Sequence, residues 1–180
     1  HLYLPHTSAE EDLATDTLAA SLKKQHPLYA LDVRGLGESM PDDGGADFFQ
    51  AYGIDYMNTG YGLLLGESYL GRRVHDLLAT MDLLCKEGAR HIHLYGRGQG
   101  AILALFGSLL HENVSSTTLK NGPLSFHAWA QVPLVSWPHA SFLPGVLKEF
   151  DLPDCIRALK KVRLIQPWGP DMKPLTGQRL

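Results

Sequence analysis

The sequence is poor in several things that would have decided its class at once. It has two cysteines in 180 residues, Cys85 and Cys155, with no metal-type spacing and no reason to pair, so two buried thiols are expected rather than a disulfide framework. No apolar run approaches the ~18 residues that span a bilayer, so a membrane partner is not expected. Neither sign of charge forms a block. Sixteen Lys and Arg stand against 19 Asp and Glu, for a formal net charge of −3, without the basic arm or stripe that nucleic acid requires. The chain opens on His1, and no basic segment followed by an apolar one marks a signal peptide. A soluble protein is expected, and its compartment stays open.

What is present is ordinary globular usage, 44% hydrophobic and 19% charged, enough for one domain around one sizeable core. Five short segments rich in branched or aromatic residues read as strands: Leu2 to Pro5, Leu28 to Val33, His91 to Tyr95, Thr117 to Lys120 and Val162 to Pro167. After the first, Ser8-Ala9-Glu10-Glu11 has the form of a capping box, with Leu13, Ala14, Leu18 and Leu22 following at helical spacing. Before the third, Leu70, Val74, Leu77, Leu78, Met81 and Leu84 share one helical face, and Gly88 stands where a helix end wants a left-handed residue. After the third, Ile102, Leu105, Phe106, Leu109 and Leu110 make a strongly apolar helix. Strands alternating with helices predict a single α/β domain with a mainly parallel, doubly wound sheet. Residues 34 to 66 and 121 to 152 read as long irregular segments, which in such folds build the binding site at the carboxyl ends of the strands.

The sequence also lacks a serine where one would be sought. "YGRGQG", Tyr95 to Gly100, has the layout of a nucleophile elbow, G-x-S-x-G, in which glycines permit a sharp strand-to-helix turn and the central side chain stands exposed at a helix N-terminus. Gly96 and Gly100 hold the outer positions, and Gly98 occupies the serine's place.

Together with "LDVRGLGES" (Leu31 to Ser39), "LLGESYLGRRVHDLLATMDLL" (Leu64 to Leu84) and "LPGVLKEFDLPD" (Leu143 to Asp154), this turn resembles the α/β-hydrolase superfamily, in particular its acetylxylan-esterase-like branch of carbohydrate esterases. The resemblance implies a truncated three-layer sandwich whose five strands lie in the order 2-1-3-4-5. It implies a nucleophile position at Gly98 and an acid position at Asp171, in "PWGPDMKPL" after the last strand. It implies oxyanion-hole amides at Gln99 and near His6 or Thr7. The family's catalytic histidine has no counterpart, because no histidine follows His139. A triad nucleophile and its base act as a unit, and losing either costs on the order of a millionfold in turnover. Weak or absent ester hydrolysis is therefore expected, with a small acyl ester or carbohydrate as the implied ligand and no cofactor.

Other residues bear weighing. Ser39 is an alternative nucleophile but fits a turn, and Ser68 fits a helix cap. Arg34 and Glu38 fit a ligand-orienting role or a solvated loop. His91 and His93, two apart on a strand, fit a metal pair or satisfied strand histidines. Trp129, Trp137 and His139 fit either a platform for a sugar ring or the loop's own apolar cluster. Gly96-x-Gly98-x-x-Ala101 is also a loose dinucleotide fingerprint, but it follows the third strand, and Lys120 and Asn121 stand where the ribose-binding acid would. A third class is a non-catalytic sugar- or partner-binding module, with an open fifth-strand edge through which a homodimer is expected.

Overall fold

The computed structural model describes residues 1–25, 27–41 and 52–175. Strands β1 (Leu2–Leu4), β2 (Tyr29–Ala30), β3 (Ile92–Arg97), β4 (Val114–Lys120) and β5 (Val162–Ile165) form one sheet, parallel throughout, in the order β2-β1-β3-β4-β5. The sequence predicts this order through the family resemblance. β2 is shorter than the expected Leu28 to Val33, and β4 begins three residues earlier than expected.

The alternation along the strands sorts the core into two layers. Leu2, Leu4, Ile92, Leu94 and Leu119 face helices α4 (Tyr69–Lys86), α5 (Gln99–Leu110) and α7 (Leu152–Ala158). Tyr3 and Tyr95 face the other way, toward Ala19 and Leu22 of α2 (Thr17–Leu22). Helices thus cover both faces of a three-layer α/β sandwich, and β1 is buried along its whole length, which is why Leu-Tyr-Leu reads as continuously apolar. Among the described residues no helix is long and apolar enough to cross a membrane.

Helix α4 follows the expected pattern. Leu70, Val74, Leu77 and Met81 are buried, Ser68 caps the helix by accepting from Gly71 N at 3.0 Å, and Gly88 takes φ +101°. The first helix departs from expectation. It breaks into α1 (Ala9–Thr15) and α2, and Ser8 makes no side-chain cap. Glu11 instead accepts from Thr7 Oγ1, and the Ala9 amide that opens the helix donates to Asp32 Oδ1. The break is at Asp16, whose carboxylate accepts from Leu18 N and Ala19 N and so starts α2 afresh.

The two segments read as irregular carry structure of their own. The first holds a 3-10 turn (Gly37–Ser39) and helix α3 (Asp55–Leu64); its residues 42–51 lie outside the described residues. The second holds α6 (Phe126–Ala130) and two 3-10 turns, so neither is a simple loop. Both cysteines are free, Cys155 buried and Cys85 half-buried beside Asn113 Nδ2, 3.1 Å from its sulfur.

Asp16 does more than cap. Its other oxygen lies 2.6 Å from Lys120 Nζ and 3.3 Å from Arg97 Nε, and Arg97 Nη1 reaches Asp12 Oδ1 at 2.5 Å. Burial alone would raise the Asp16 pKa, but the Lys120 bond, the Ala19 amide and Arg97 together hold it below the ordinary carboxylate range. Asp16→Ala would leave the Lys120 ammonium buried without its carboxylate and strip the α2 cap, so urea unfolding should show a loss of about 3–5 kcal/mol. Asp16→Asn, which keeps the cap acceptor, should fall between.

Candidate active site

The glycines of the turn are each held by a close approach. A Cβ on Gly96 would stand 2.2 Å from Gly100 O, and one on Gly100 would stand 2.1 Å from Leu4 O. Both positions thus serve the packing of α5 against β3 and β1, where no side chain fits. Gly98 has φ +56° and ψ −116°, a strained turn that L side chains rarely adopt, and it opens α5 with no side-chain cap. The backbone has the sharp strand-to-helix geometry that an elbow needs.

The space beyond Gly98 is filled. A Cβ there would meet His6 Nδ1 at 2.2 Å and the His6 Cβ at 3.0 Å. His6, just past β1, is buried, with its ring edge-to-face against Tyr52, Trp137 and Trp168 at centroid distances of 5.8, 6.4 and 5.5 Å. Its Nδ1 accepts from Gln99 N at 3.2 Å. A neutral imidazole that accepts at Nδ1 carries its proton on Nε2, so Nε2 donates to Tyr52 Oη at 3.1 Å, and Tyr52 Oη lies 3.6 Å from Met172 Sδ as donor. Burial first, and the Arg97 charge second, push the His6 pKa down to about 4. The ring is neutral at physiological pH.

Gln99 ties this histidine to the opposite layer. Its Nε2 donates to His6 O at 2.9 Å and its Oε1 accepts from Arg73 Nη1 at 2.9 Å. Arg73 is buried on α4, donates also to Arg34 O and Gly35 O, and pairs with Asp55 Oδ1 at 3.3 Å; Asp55 Oδ2 in turn accepts from Ala140 N at 2.8 Å. Burial pushes the Asp55 carboxyl up despite Arg73. Of the two amides expected after β1, that of His6 donates to Asp12 Oδ2 at 2.9 Å. Thr7 sends its hydroxyl to Glu11 and its carbonyl to Gly37 N.

The other candidates disperse. Asp171 lies on the turn after β5 with its side chain 58% exposed, bonded to Lys173 N at 3.2 Å and 3.9 Å from Lys173 Nζ. A carboxylate so placed does not orient a buried imidazole. Ser39 donates to Asp32 O at 2.9 Å within its 3-10 turn, as a turn residue does. Arg34 is held bidentate by Asp76 at 2.7 and 2.5 Å rather than being left for a ligand. His91 and His93 pair with Ser115 and Ser116, and no group of three metal-ligating side chains occurs among the described residues.

Trp129 and Trp137 are stacked on each other at 5.3 Å, both buried, with Trp137 Nε1 donating to Gly169 O. Both belong to the hydrophobic core, which is the second of the two readings that the sequence allows for them. Sequence reasoning placed a backbone donor near His6 but missed its ring, along with Arg73, Asp55 and Asp12. Arg73 had a readable signal, because it falls at core spacing three residues after Leu70 and four before Leu77.

The chain matches no family model, no curated protein and no solved structure. The site is therefore read from its own geometry.

His6 links this geometry to pH. Its folded pKa lies below the unfolded value of about 6.5, so the unfolded chain binds the proton first. The stability it contributes is complete above that pH and is lost as pH falls toward 4. Denaturant titrations across this window should show a fall of about 3 kcal/mol in the unmodified chain. His6→Asn, whose Oδ1 can accept from Gln99 N but does not titrate, should lack that slope.

Proposed function

We propose that this chain is a catalytically silent domain of the α/β-hydrolase type, similar in ancestry to acetylxylan-esterase-like enzymes, which acts through its surfaces rather than through its crevice. The observation that carries this reading is the His6 ring in the seat that a Gly98 side chain would occupy, accepting the Gln99 amide. In a working hydrolase that amide and a second one after the first strand must be free to meet a developing oxyanion. Here Gln99 N serves His6 Nδ1, and His6 N serves Asp12. The nucleophile is missing, the Gln99 and His6 amides are used internally, and the acid position is exposed to solvent.

The same bonds weigh against a nucleotide-binding turn. A phosphate cradle needs bare amides at the helix N-terminus, whereas Gln99 N goes to His6, Gly98 N donates to Lys120 O and Ala101 N to Gly98 O.

Purified protein should turn over a chromogenic acetyl ester no faster than buffer, and Gly98→Ser should remain inactive. Robust turnover abolished by Ser39→Ala would overturn the silent reading. The seat itself is tested by a thermodynamic cycle. Gly98→Ala should cost about 3 kcal/mol or more, combining backbone strain with the clash against His6. In a His6→Gly background, only the strain of about 1–2 kcal/mol should remain.

A further inference from the structure

Helix α3 is built inside out. Its buried residues, Asp55, Thr59 and Gly62, are polar or small. Asp55 is held by Arg73 and Ala140 N, and Thr59 Oγ1 donates back to Asp55 O at 2.9 Å. At 3.6 residues per turn, Met57, Gly60, Tyr61 and Leu64 fall at i, i+3, i+4 and i+7 on the opposite side. That spacing is the seam of a helix that packs against another helix, yet here it faces outward.

The exposures bear this out. Met57 is 36%, Tyr61 55%, Leu63 52%, Leu64 84% and Leu65 73% exposed. From Tyr52 to Gly66 the chain has one charged residue, Asp55, and it is buried. Three consecutive exposed leucines on a surface without charge are a feature that soluble domains avoid unless something covers them.

Gly60 adds a second, independent observation. A glycine within a helix costs about 1 kcal/mol relative to alanine, and a Cβ at Gly60 would meet nothing within 4 Å. Among the described residues nothing requires it. It makes a notch on the outward seam, one turn from the Tyr61 and Leu64 knobs.

We propose that this face is the contact between two copies of the chain, with α3 crossing its symmetry mate about a two-fold axis so that Tyr61 and Leu64 of each copy seat beside Gly60 of the other. Self-association suits the face because knob and notch lie on the same surface, as an isologous contact requires. No residue of the α3 seam is charged, so the seam meets its own copy without like-charge repulsion between its own side chains. Taking roughly 200 Å² for a fully exposed side chain of this size, the seam's Met57, Tyr61 and Leu64 offer on the order of 350 Å² and the flanking Leu63 and Leu65 bring the patch to about 600 Å², against the ~800 Å² that one side of a standard interface buries. The edge of β5 is the poorer candidate. Lys160, Lys161 and Arg163 lie along it, the charge pattern by which sheet edges resist pairing. The proposal holds whether or not the crevice hydrolyses anything.

Sedimentation velocity on the full chain from nanomolar to high micromolar concentration should show a concentration-dependent dimer. Leu64→Glu should weaken the association by about thirtyfold or more. Gly60→Leu, which enters open space in the single chain, should leave thermal unfolding of the monomer unchanged or improved while weakening the dimer comparably. A chain that stays monomeric throughout overturns the proposal, as does a dimer that neither substitution weakens. Flotation of a monomeric chain with neutral phosphatidylcholine vesicles, strengthened by Gly60→Leu, overturns it in favour of a lipid surface.

Discussion

The carboxyl end of the sheet depends on one contact, the His6 ring lying against the bare Cα of Gly98. Without a side chain at Gly98, the imidazole reaches the first amide of α5 and accepts from it. With the ring there, Gln99 turns its own side chain toward His6 O on one side and Arg73 on the other. Arg73 then holds Asp55, and Asp55 holds the backbone at Ala140. Five elements are thereby joined through a chain of hydrogen bonds that begins at a missing methylene. A Cβ at Gly98 would displace the ring and leave the Gln99 amide without its partner, and a buried donor left unsatisfied costs on the order of 1–3 kcal/mol.

The same end of the sheet carries two compact charge systems, one in each layer. Asp12, Asp16, Arg97 and Lys120 bind α1 and α2 to the ends of β3 and β4, and Arg73 with Asp55 binds α4 to α3. Buried ion pairs add little net stability against an apolar replacement, but breaking one strands a charge at a cost of several kcal/mol. Their effect is therefore on specificity. They hold the loops over the strand ends in an arrangement in which the Gln99 and His6 amides are already bonded. The turn itself is shaped by the close approaches at Gly96 and Gly100, whereas position 98 decides what lies beyond it.

Much of the fold was legible in local pattern. The apolar face from Leu70 to Met81, the Ser68 cap, Gly88 and the glycine turn all report short-range physics, and the family resemblance supplied the strand order. The break at Asp16 was hidden because Ser8 and Glu11 match a capping box, whereas in the structure Ser8 makes no side-chain cap, Glu11 accepts from Thr7, and Asp16 caps a new helix through Leu18 N and Ala19 N. The candidate site was half legible. The sharp turn at Gly98 could be read from the glycine spacing, but the ring beside it lies 93 residues from Gln99, and nothing near His6 distinguishes it from any other loop histidine. Trp129 and Trp137 are equally ambiguous in sequence, since an aromatic pair has the same composition whether it lines a cleft or fills a core. Helix α3 was missed because its apolar residues point outward, so its pattern lacks the inward stripe by which helices are recognised.

The central claim is that His6 is a neutral, fixed acceptor against the bare Cα of Gly98, and nitrogen-15 NMR of the histidine ring and of the Gln99 amide tests it most directly. The account predicts a single tautomer with the proton on Nε2 and an unprotonated Nδ1 that persists down to about pH 4. It also predicts a Gln99 amide strongly protected from solvent exchange. A ring protonated at Nδ1, or one that titrates near its ordinary value of about 6.5 beside a freely exchanging Gln99 amide, would contradict it.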